Sequence, residues 1–244
     1  MSLLAEALEA AGGQSRWRQA RRLSARTRTG GLLPRTRAPG NRFADYTVTV
    51  DFDRQHATLD PYPERGLVGV LDGNTVRIET AAGDQVEART DPRSRFFGLS
   101  GLRRNLRWDA LDATYFAGYA MWNYLTTPLL LTRDEIEVTE GRPWVRDGQP
   151  WRRLDARFPS DLQTHSAKQS FFFDSDGRLV RHDYTAEVVA ARAHAAHYCS
   201  AHREFDGLVL PTRRRVLPRR RNLRSLPHPT LVSLEIDGVE VEFG

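Results

Sequence analysis

Short runs of alternating apolar and polar residues, separated by Asp-Gly steps, make up most of this chain. The clearest runs flank Asp176-Gly177 and Asp206-Gly207 within the stretch 168–218. Asp-Gly between two β-prone runs favours a type I′ hairpin, because that turn needs positive φ at both central residues. Further Asp-Gly steps begin at positions 72, 147 and 237. The pattern predicts a meander of at least eight antiparallel strands, ending in a hairpin over 230–243.

Counting outward from Asp176-Gly177 assigns the residues of the first hairpin to two faces. The count places Phe171 opposite His182 and puts Phe173 and Tyr184 on the same face, since side chains alternate along a strand. This face is the more apolar one and is predicted to point inward. The other face is predicted to be solvated, and it carries Arg181, Asp183, Thr185 and Glu187.

The same count from Asp206-Gly207 places Cys199 directly opposite Arg214 on the inward face of the second hairpin. A guanidinium beside a thiol favours the thiolate, and His197 on the same face could serve as its base. Two other interpretations stay open. One is a buried apolar cysteine beside an Arg214 that pairs with an acid, and the other is a site where Arg203 and Arg214 hold a ligand carboxylate.

Helical spacing of apolar residues appears first near the N-terminus. Residues 2–22 are predicted to form two short helices, the first of which ends at Gly12-Gly13. They precede a strand predicted near 23–29. The stretch 30–41 is rich in Gly, Pro and Arg and is predicted to be a loop.

A longer helix is predicted over residues 109–126, with the sequence DALDATYFAGYAMWNYLT. Asp109 is a suitable N-cap and Pro128 stops the helix. Apolar residues cover nearly its whole circumference, which is typical of a buried helix rather than one lying on a surface. In a β-meander protein this helix is predicted to lie inside the curve of the sheet.

Composition and charge narrow the class of protein. The 244 residues are 40% apolar and carry a net charge of +5. The basic residues are all arginine except Lys168 and are dispersed among 31 acidic residues, so the charge does not indicate a nucleic-acid surface. Cys199 is the only cysteine, which excludes an intrachain disulfide. The chain begins without a basic signal-peptide region and has no transmembrane-length apolar run, so we expect one cytoplasmic domain over 1–244 with no membrane insertion.

Three segments carry a family resemblance: GGQSRWRQARRLSARTR near the N-terminus, FFFDSDGRLVRHDYTAEVV, and AHYCSAHREFDGLVLPTRRRV. Together they resemble bacterial proteins of the lipoprotein-carrier type, the LolA/LppX superfamily, as a pattern over most of the chain. The resemblance implies a mainly β fold: one strongly curved antiparallel sheet, an unclosed half-barrel, with helices covering the concave side. The same architecture resembles a cofactor-free enzyme of violacein biosynthesis. This chain lacks the signal peptide and lipobox cysteine of the carriers, so an intracellular enzyme is also an expectation.

Aromatic residues of the helix and the first hairpin are predicted to line a pocket in the concavity. A pocket of this kind suits a hydrophobic small molecule, polyketide-like or polycyclic. Two functions from different classes remain, besides a plain interaction domain: a cofactor-independent enzyme of cyclisation, isomerisation or dehydration, and a non-catalytic lipid or lipopeptide carrier. The predicted lining residues are Tyr115, Tyr119, Trp122, Phe171, Phe173, Cys199 and Arg214.

His182 and Tyr184 are the candidate catalytic pair. His182 sits on an apolar run between aromatic residues, where desolvation would hold it neutral as a general base, with Tyr184 as a proton donor. The alternative is a core histidine satisfied by one hydrogen bond. No metal or cofactor is expected, because strand alternation points His194 and His202 away from His197 and Cys199 and no metal-binding motif is present.

Overall fold

One antiparallel sheet of thirteen strands organises the residues that the structure, a computed structural model, describes: 1–38, 43–98, 106–146 and 148–244. The strands are β1 Ala20–Gly30, β2 Tyr46–Asp51, β3 His56–Asp60, β4 Leu67–Asp72, β5 Thr75–Thr80, β6 Gln85–Thr90, β7 Glu137–Arg146, β8 Gln149–Arg157, β9 Lys168–Phe173, β10 Leu179–Thr185, β11 His194–Phe205, β12 Leu208–Pro218 and β13 Val232–Phe243.

Within each half of the sheet, strands that are consecutive in the chain are neighbours, and the last strand joins the two halves. β1 to β6 form one half, β7 to β12 form the other, and β13 lies between β1 and β12. The two edges, β6 and β7, do not pair with each other, so the sheet curves without closing. The predicted unclosed half-barrel and the predicted minimum of eight antiparallel strands are both confirmed.

The α-helices are α1 Leu3–Ala10, α2 Gln14–Gln19, α3 Leu32–Arg37 and α4 Ala110–Thr126. The predicted buried helix is confirmed as α4: Asp109 and Asp112 form a reciprocal capping box, and fourteen of the seventeen helical residues are buried. The helix packs against β2 to β5 and also reaches β10 and β12 through Tyr124, so it lies inside the curve of the sheet.

The N-terminal helices are shorter than the predicted range 2–22. Residues from Ala20 onward belong to β1, because their backbone groups pair with β13 on one side and β2 on the other. The predicted loop is also partly helical. Its first part forms α3, which is attached to the rest of the chain by hydrogen bonds from Leu32 N to Thr230 O and from Leu33 N to Leu231 O. Residues 39–41 of that prediction lie outside the described residues.

The Asp206-Gly207 hairpin forms as predicted. Both residues have positive φ, 48° and 85°, and the register pairs Cys199 with Arg214. At the first hairpin the predicted Phe171–His182 pair is confirmed, but the turn is wider than two residues. The Asp174 carboxylate accepts hydrogen bonds from two backbone amides of the loop, and a bulge in β10 restores the predicted register.

The remaining Asp-Gly steps differ in outcome. Asp237-Gly238 does not turn the chain: it forms a bulge within one continuous β13, because β1 pairs with this strand on both sides of the step. The predicted terminal hairpin over 230–243 is therefore wrong. At the first step, Asp72 pairs with Thr75, so the hairpin turn falls one residue later than predicted, on Gly73-Asn74. Asp147 lies outside the described residues.

The face of β10 that was predicted to be solvated is largely covered. Arg181 and Asp183 are buried and form a bidentate ion pair, with Nε–Oδ1 and Nη2–Oδ2 distances of 2.6 and 2.7 Å. The chain that follows β12 folds back over them: Arg219 lies 3.1 Å from Asp183, and Leu223 O accepts a hydrogen bond from Arg181. A later segment thus supplies the cover that strand alternation could not predict.

Candidate functional site

An apolar cavity lies between one side of α4 and the strands β1, β12 and β13. The space open to the centre of a water molecule is about 60 Å³, several times what one buried water needs. On the helix, Ala113, Ala117 and Ala120 recur at one-turn spacing and leave room beside the sheet. The rest of the lining is Thr29, Leu33, Pro34, Arg37, Ala38, Phe43, Tyr46, Trp108, Phe116, Met121, Tyr124, Tyr184, His197, Arg214, Val216, Val232 and Leu234.

The short helix α3 covers the outer side of this cavity. Leu33, Pro34 and Arg37 line the cavity and are only half-buried, as are Phe116 and Ala117 on α4. Most of the strand residues opposite them are buried: Tyr46, Tyr184, His197, Arg214, Val216 and Leu234. The cavity therefore approaches solvent between α3 and the middle of α4 and ends against the sheet.

The helix residues predicted to line a pocket lie on the other side of α4. At 100° per residue, Tyr115, Tyr119 and Trp122 fall roughly opposite the alanine stripe. Trp122 Nε1 donates to two backbone carbonyls near the β2–β3 turn, at 2.8 and 3.0 Å, and Tyr115 donates to the side-chain oxygen of Gln163 at 2.7 Å. These three residues belong to the packed core, and neither they nor the predicted pocket partners Phe171 and His182 line the cavity beside α4.

A buried polar segment, 163–166, occupies the space that was expected to be the pocket. Its His165 is 1% exposed and stands between two tyrosines: its Nδ1 is 3.2 Å from the Tyr119 hydroxyl and its Nε2 is 2.7 Å from the Tyr124 hydroxyl. Burial, together with the smaller effect of the positive charge of Arg93, lowers the pKa of His165 to about 3. This neutral histidine was missed, because four polar residues in a row indicate an exposed loop. The tyrosines of the buried helix could have indicated it, because a buried tyrosine hydroxyl usually has a hydrogen-bond partner.

The predicted acid–base pair does not form. His182 is hydrogen-bonded through Nε2 to Gln169 Oε1 at 2.6 Å and stacks on Phe171, and burial holds its pKa well below the ordinary value. It is not among the residues that line the cavity. Tyr184 does line it, but its hydroxyl is hydrogen-bonded to that of Tyr124 at 3.0 Å, and burial raises its pKa. The side chains of His182 and Tyr184 are neighbours, each with another partner.

Phe171 and Phe173 are also core residues, each 1% exposed. Both belong to the main hydrophobic cluster and neither lines the cavity beside α4. The apolar face of the first hairpin is therefore inward, as predicted, but it packs solidly. Of the predicted ligand-binding residues, the structure brings Arg214 to the cavity.

Arg214 and His197 are buried polar residues of the cavity lining, whereas Arg37, the other cation that lines it, is half-buried on α3 near the outer side. Arg214 donates to Tyr124 O at 3.0 Å and to Cys199 Sγ at 3.4 Å, while its Nε has no hydrogen-bond partner among the described residues. Neither ring nitrogen of His197 has one either. No carboxylate in the described part of the chain forms an ion pair with Arg214, so the predicted alternative of an acid partner is wrong.

Cys199 is a buried thiol rather than a thiolate. Burial raises its pKa, and the nearby Arg214 offsets only part of that effect. These effects oppose the predicted thiolate nucleophile, and Cys199 is not among the residues that line the cavity. Arg203, the other candidate for holding a carboxylate, is exposed and stacks on Phe205 instead of reaching the cavity.

The fold resembles solved structures more than the sequence resembles any family. No protein-family model matches the chain, and no curated protein is similar to it in sequence. A LolA superfamily protein from Nitrosomonas europaea superposes with a TM-score of 0.53 at 14% identity, covering 99% of this chain and 94% of that one. The protein has a LolA-type fold. A DUF1329 family protein from Desulfovibrio piger, at 12% identity, covers 99% and 92% of the two chains with a TM-score of 0.49.

The LolA-type fold here contains no cluster of metal-binding side chains among the residues that the structure describes. His194 and His202 are engaged separately: His194 with the Thr185 hydroxyl at 3.0 Å and His202 with Leu179 O at 3.0 Å. Within the same described ranges, the helices are too short or too polar to cross a membrane.

Proposed function

We propose that the protein binds one elongated apolar molecule, of the acyl-chain class, in the cavity beside α4 and acts as a carrier. The observation that carries this proposal is the stripe of Ala113, Ala117 and Ala120 on a helix that is otherwise aromatic and tightly packed. Small residues along one side of a buried helix leave a narrow channel, and the strand side chains that complete it are mostly apolar.

The small volume of the cavity supports a chain over a ring system as the ligand. Its free space of about 60 Å³ accommodates a narrow chain better than the polycyclic ligand expected from the sequence. The LolA-type fold supports a hydrophobic ligand in general, because the lipoprotein carriers that the sequence resembles imply such a ligand in the concavity. The cytoplasmic location stays a prediction.

A cofactor-independent enzyme is the second candidate, and it depends on His197 rather than His182. His197 lines the cavity with both ring nitrogens unpartnered in the described structure, and burial holds its pKa well below the ordinary value. A neutral imidazole beside a bound ligand can accept a proton. Carrier function has the stronger support, because the predicted acid–base residues, His182 and Tyr184, form hydrogen bonds with Gln169 and Tyr124 in the core.

Filling the alanine stripe tests the binding proposal. Ala117→Phe places a ring in the cavity, and we expect the affinity for dodecan-1-ol, measured by isothermal titration calorimetry, to fall at least about tenfold. Ala82→Phe, in an exposed turn, is the matched control and should leave the affinity unchanged. The proposal requires saturable one-to-one binding of dodecan-1-ol by the wild type. Equal affinities of the wild type and Ala117→Phe would mean that the ligand binds outside this cavity.

A further inference from the structure

Arg214 is a buried cation whose charge the described residues do not balance. It is 2% exposed on β12, and its identified hydrogen bonds go to a backbone carbonyl and a neutral thiol. A guanidinium stays protonated in proteins, so burial cannot neutralise it. A buried charge without an opposite charge is costly, and proteins normally pair it.

The unsatisfied donors of this cation lie beside the apolar cavity. Arg214 Nε has no partner in the described structure, and His197, which is 1% exposed, has none at either ring nitrogen. Both side chains line the cavity, together with the apolar residues of β12 and β13. A neutral histidine offers one N–H donor, so the two side chains together present a positive charge and additional hydrogen-bonding capacity at the buried side of an apolar channel.

We infer that the ligand is a long-chain monocarboxylate whose head group binds Arg214, with His197 as a further donor, and whose chain lies along the alanine stripe of α4. The inference rests on the proposed function. One buried guanidinium balances one negative charge, which suits a carboxylate better than a phosphate monoester. The geometry of the guanidinium also favours carboxylate oxygens, which accept from adjacent N–H groups.

The length of the channel guides the choice of probe. The lining residues of α4 run from Ala113 to Tyr124, which corresponds to about 16 Å of helix. Dodecanoate and dodecan-1-ol are therefore suitable probes, because they share one chain and differ in the charge of the head group. A cation site at the channel favours the acid, whereas an apolar channel alone favours the alcohol.

Isothermal titration calorimetry at pH 7.5 should show that the wild type binds dodecanoate about 10- to 100-fold more tightly than dodecan-1-ol, the range for hydrogen bonds to a charged group. Arg214→Met should remove this preference, so that the variant binds dodecanoate no more tightly than it binds dodecan-1-ol. Arg203→Met deletes an exposed arginine from the same hairpin, and it should keep the preference. Equal affinities in the wild type overturn the carboxylate inference and leave the proposed function standing. If neither probe binds, both fail.

Two further measurements keep the test independent of how well Arg214→Met folds. Titration of [1-¹³C]dodecanoate bound to the wild type should give a carboxyl pKa below that of the free acid, because the guanidinium favours the ionised form. A bound carboxyl pKa that is unchanged or raised would contradict the inference. At equal free ligand concentrations, dodecanoate should also raise the melting temperature of the wild type more than dodecan-1-ol does, and a smaller increase counts against a head-group site.

Discussion

Two buried arginines on neighbouring parts of one sheet differ in how their charge is treated. Arg181, 0% exposed on β10, forms a bidentate pair with Asp183 and also donates to Leu223 O. Its guanidinium lies over the ring of Trp144 at 4.5 Å. Arg214, 2% exposed on β12, faces the other side of the sheet. It contacts a sulfur, one carbonyl and, at 5.1 Å, the ring of Tyr124, and no carboxylate of the described chain balances its charge.

The difference in partners indicates a structural role for Arg181 and a ligand-binding role for Arg214. The partners of Arg181 satisfy a charge that folding alone has buried, so its site is complete without a ligand. The partners of Arg214 satisfy part of its hydrogen-bonding capacity and none of its charge, and the adjoining space is an apolar cavity. A buried charge left incomplete beside a cavity is better explained by a ligand than by the fold.

The largest effect on stability is expected at the site of Arg181, whose charge is fully paired. Arg181→Met should lower the free energy of unfolding by about 3–5 kcal/mol, because it leaves Asp183 buried with one partner lost. Urea denaturation measures the change. The double variant Arg181→Met/Asp183→Leu should recover part of the loss, since it removes both charges. An Arg181→Met protein as stable as the wild type would show that this ion pair is not structural.

The matched substitution at the incomplete site should have a much smaller cost. Arg214→Met removes an unbalanced charge, so the unliganded variant should lie within about 1 kcal/mol of the wild type or be more stable. Urea denaturation without ligand gives the value, and Arg181→Met is the control for replacing a buried arginine. A loss comparable to that of Arg181→Met would mean that Arg214 is as structural as Arg181.

Acid should destabilise the protein through the buried histidines. The pKa of His165 is about 3 in the folded protein, below its ordinary value near 6.5, so between these values the unfolded chain binds the extra proton. Stability is therefore fully present above pH 6.5 and falls as the pH decreases toward 3. His165 alone accounts for about 1.4 kcal/mol per pH unit in this window. Urea midpoints between pH 7 and pH 5 should fall less steeply in His165→Gln than in the wild type.

Two further substitutions compare a histidine that has a hydrogen-bond partner with one that has none in the described structure. His182→Phe leaves Gln169 Oε1 without its hydrogen bond and should cost about 1–2 kcal/mol. His197→Phe removes two ring nitrogens that have no partner in the described structure, and it should change stability by less than about 1 kcal/mol. Thermal unfolding of the two variants at pH 7.5 compares them directly. A larger loss for His197→Phe would reverse the assignment of which histidine is satisfied.

Local signals in the sequence predict a turn or a helix cap well where its formation depends on residues that are close in sequence. Asp206-Gly207 forms its turn because the residues on both sides pair only across that hairpin, and Asp109 caps α4 through neighbours three residues away. Asp237-Gly238 carries the same dipeptide, yet it becomes a bulge, because β1 pairs with the strand on both sides of the step. The outcome at that position depends on a partner 200 residues away, which a local pattern does not contain.

The site is predicted less well than the fold for a related reason. The all-round apolar helix was predicted correctly, but its side facing a cavity differs from its packed side only in residue size. Large aromatic residues suggested a pocket, whereas they fill the core, and the small residues Ala113, Ala117 and Ala120 mark the free space. His165 was missed because a polar run indicates exposure, and only its tertiary contacts with Tyr119 and Tyr124 bury it.

The alanine stripe affects the length of the channel without affecting the fold of the sheet. Ala113 and Ala120 are seven residues apart, which is about 10 Å along the helix axis, and their side chains do not take part in the capping box or in strand pairing. A larger residue at one position would shorten the channel from that end while leaving the register of the thirteen strands unchanged. Under the proposed function, three positions on one helix therefore set the length of the chain that the cavity accepts.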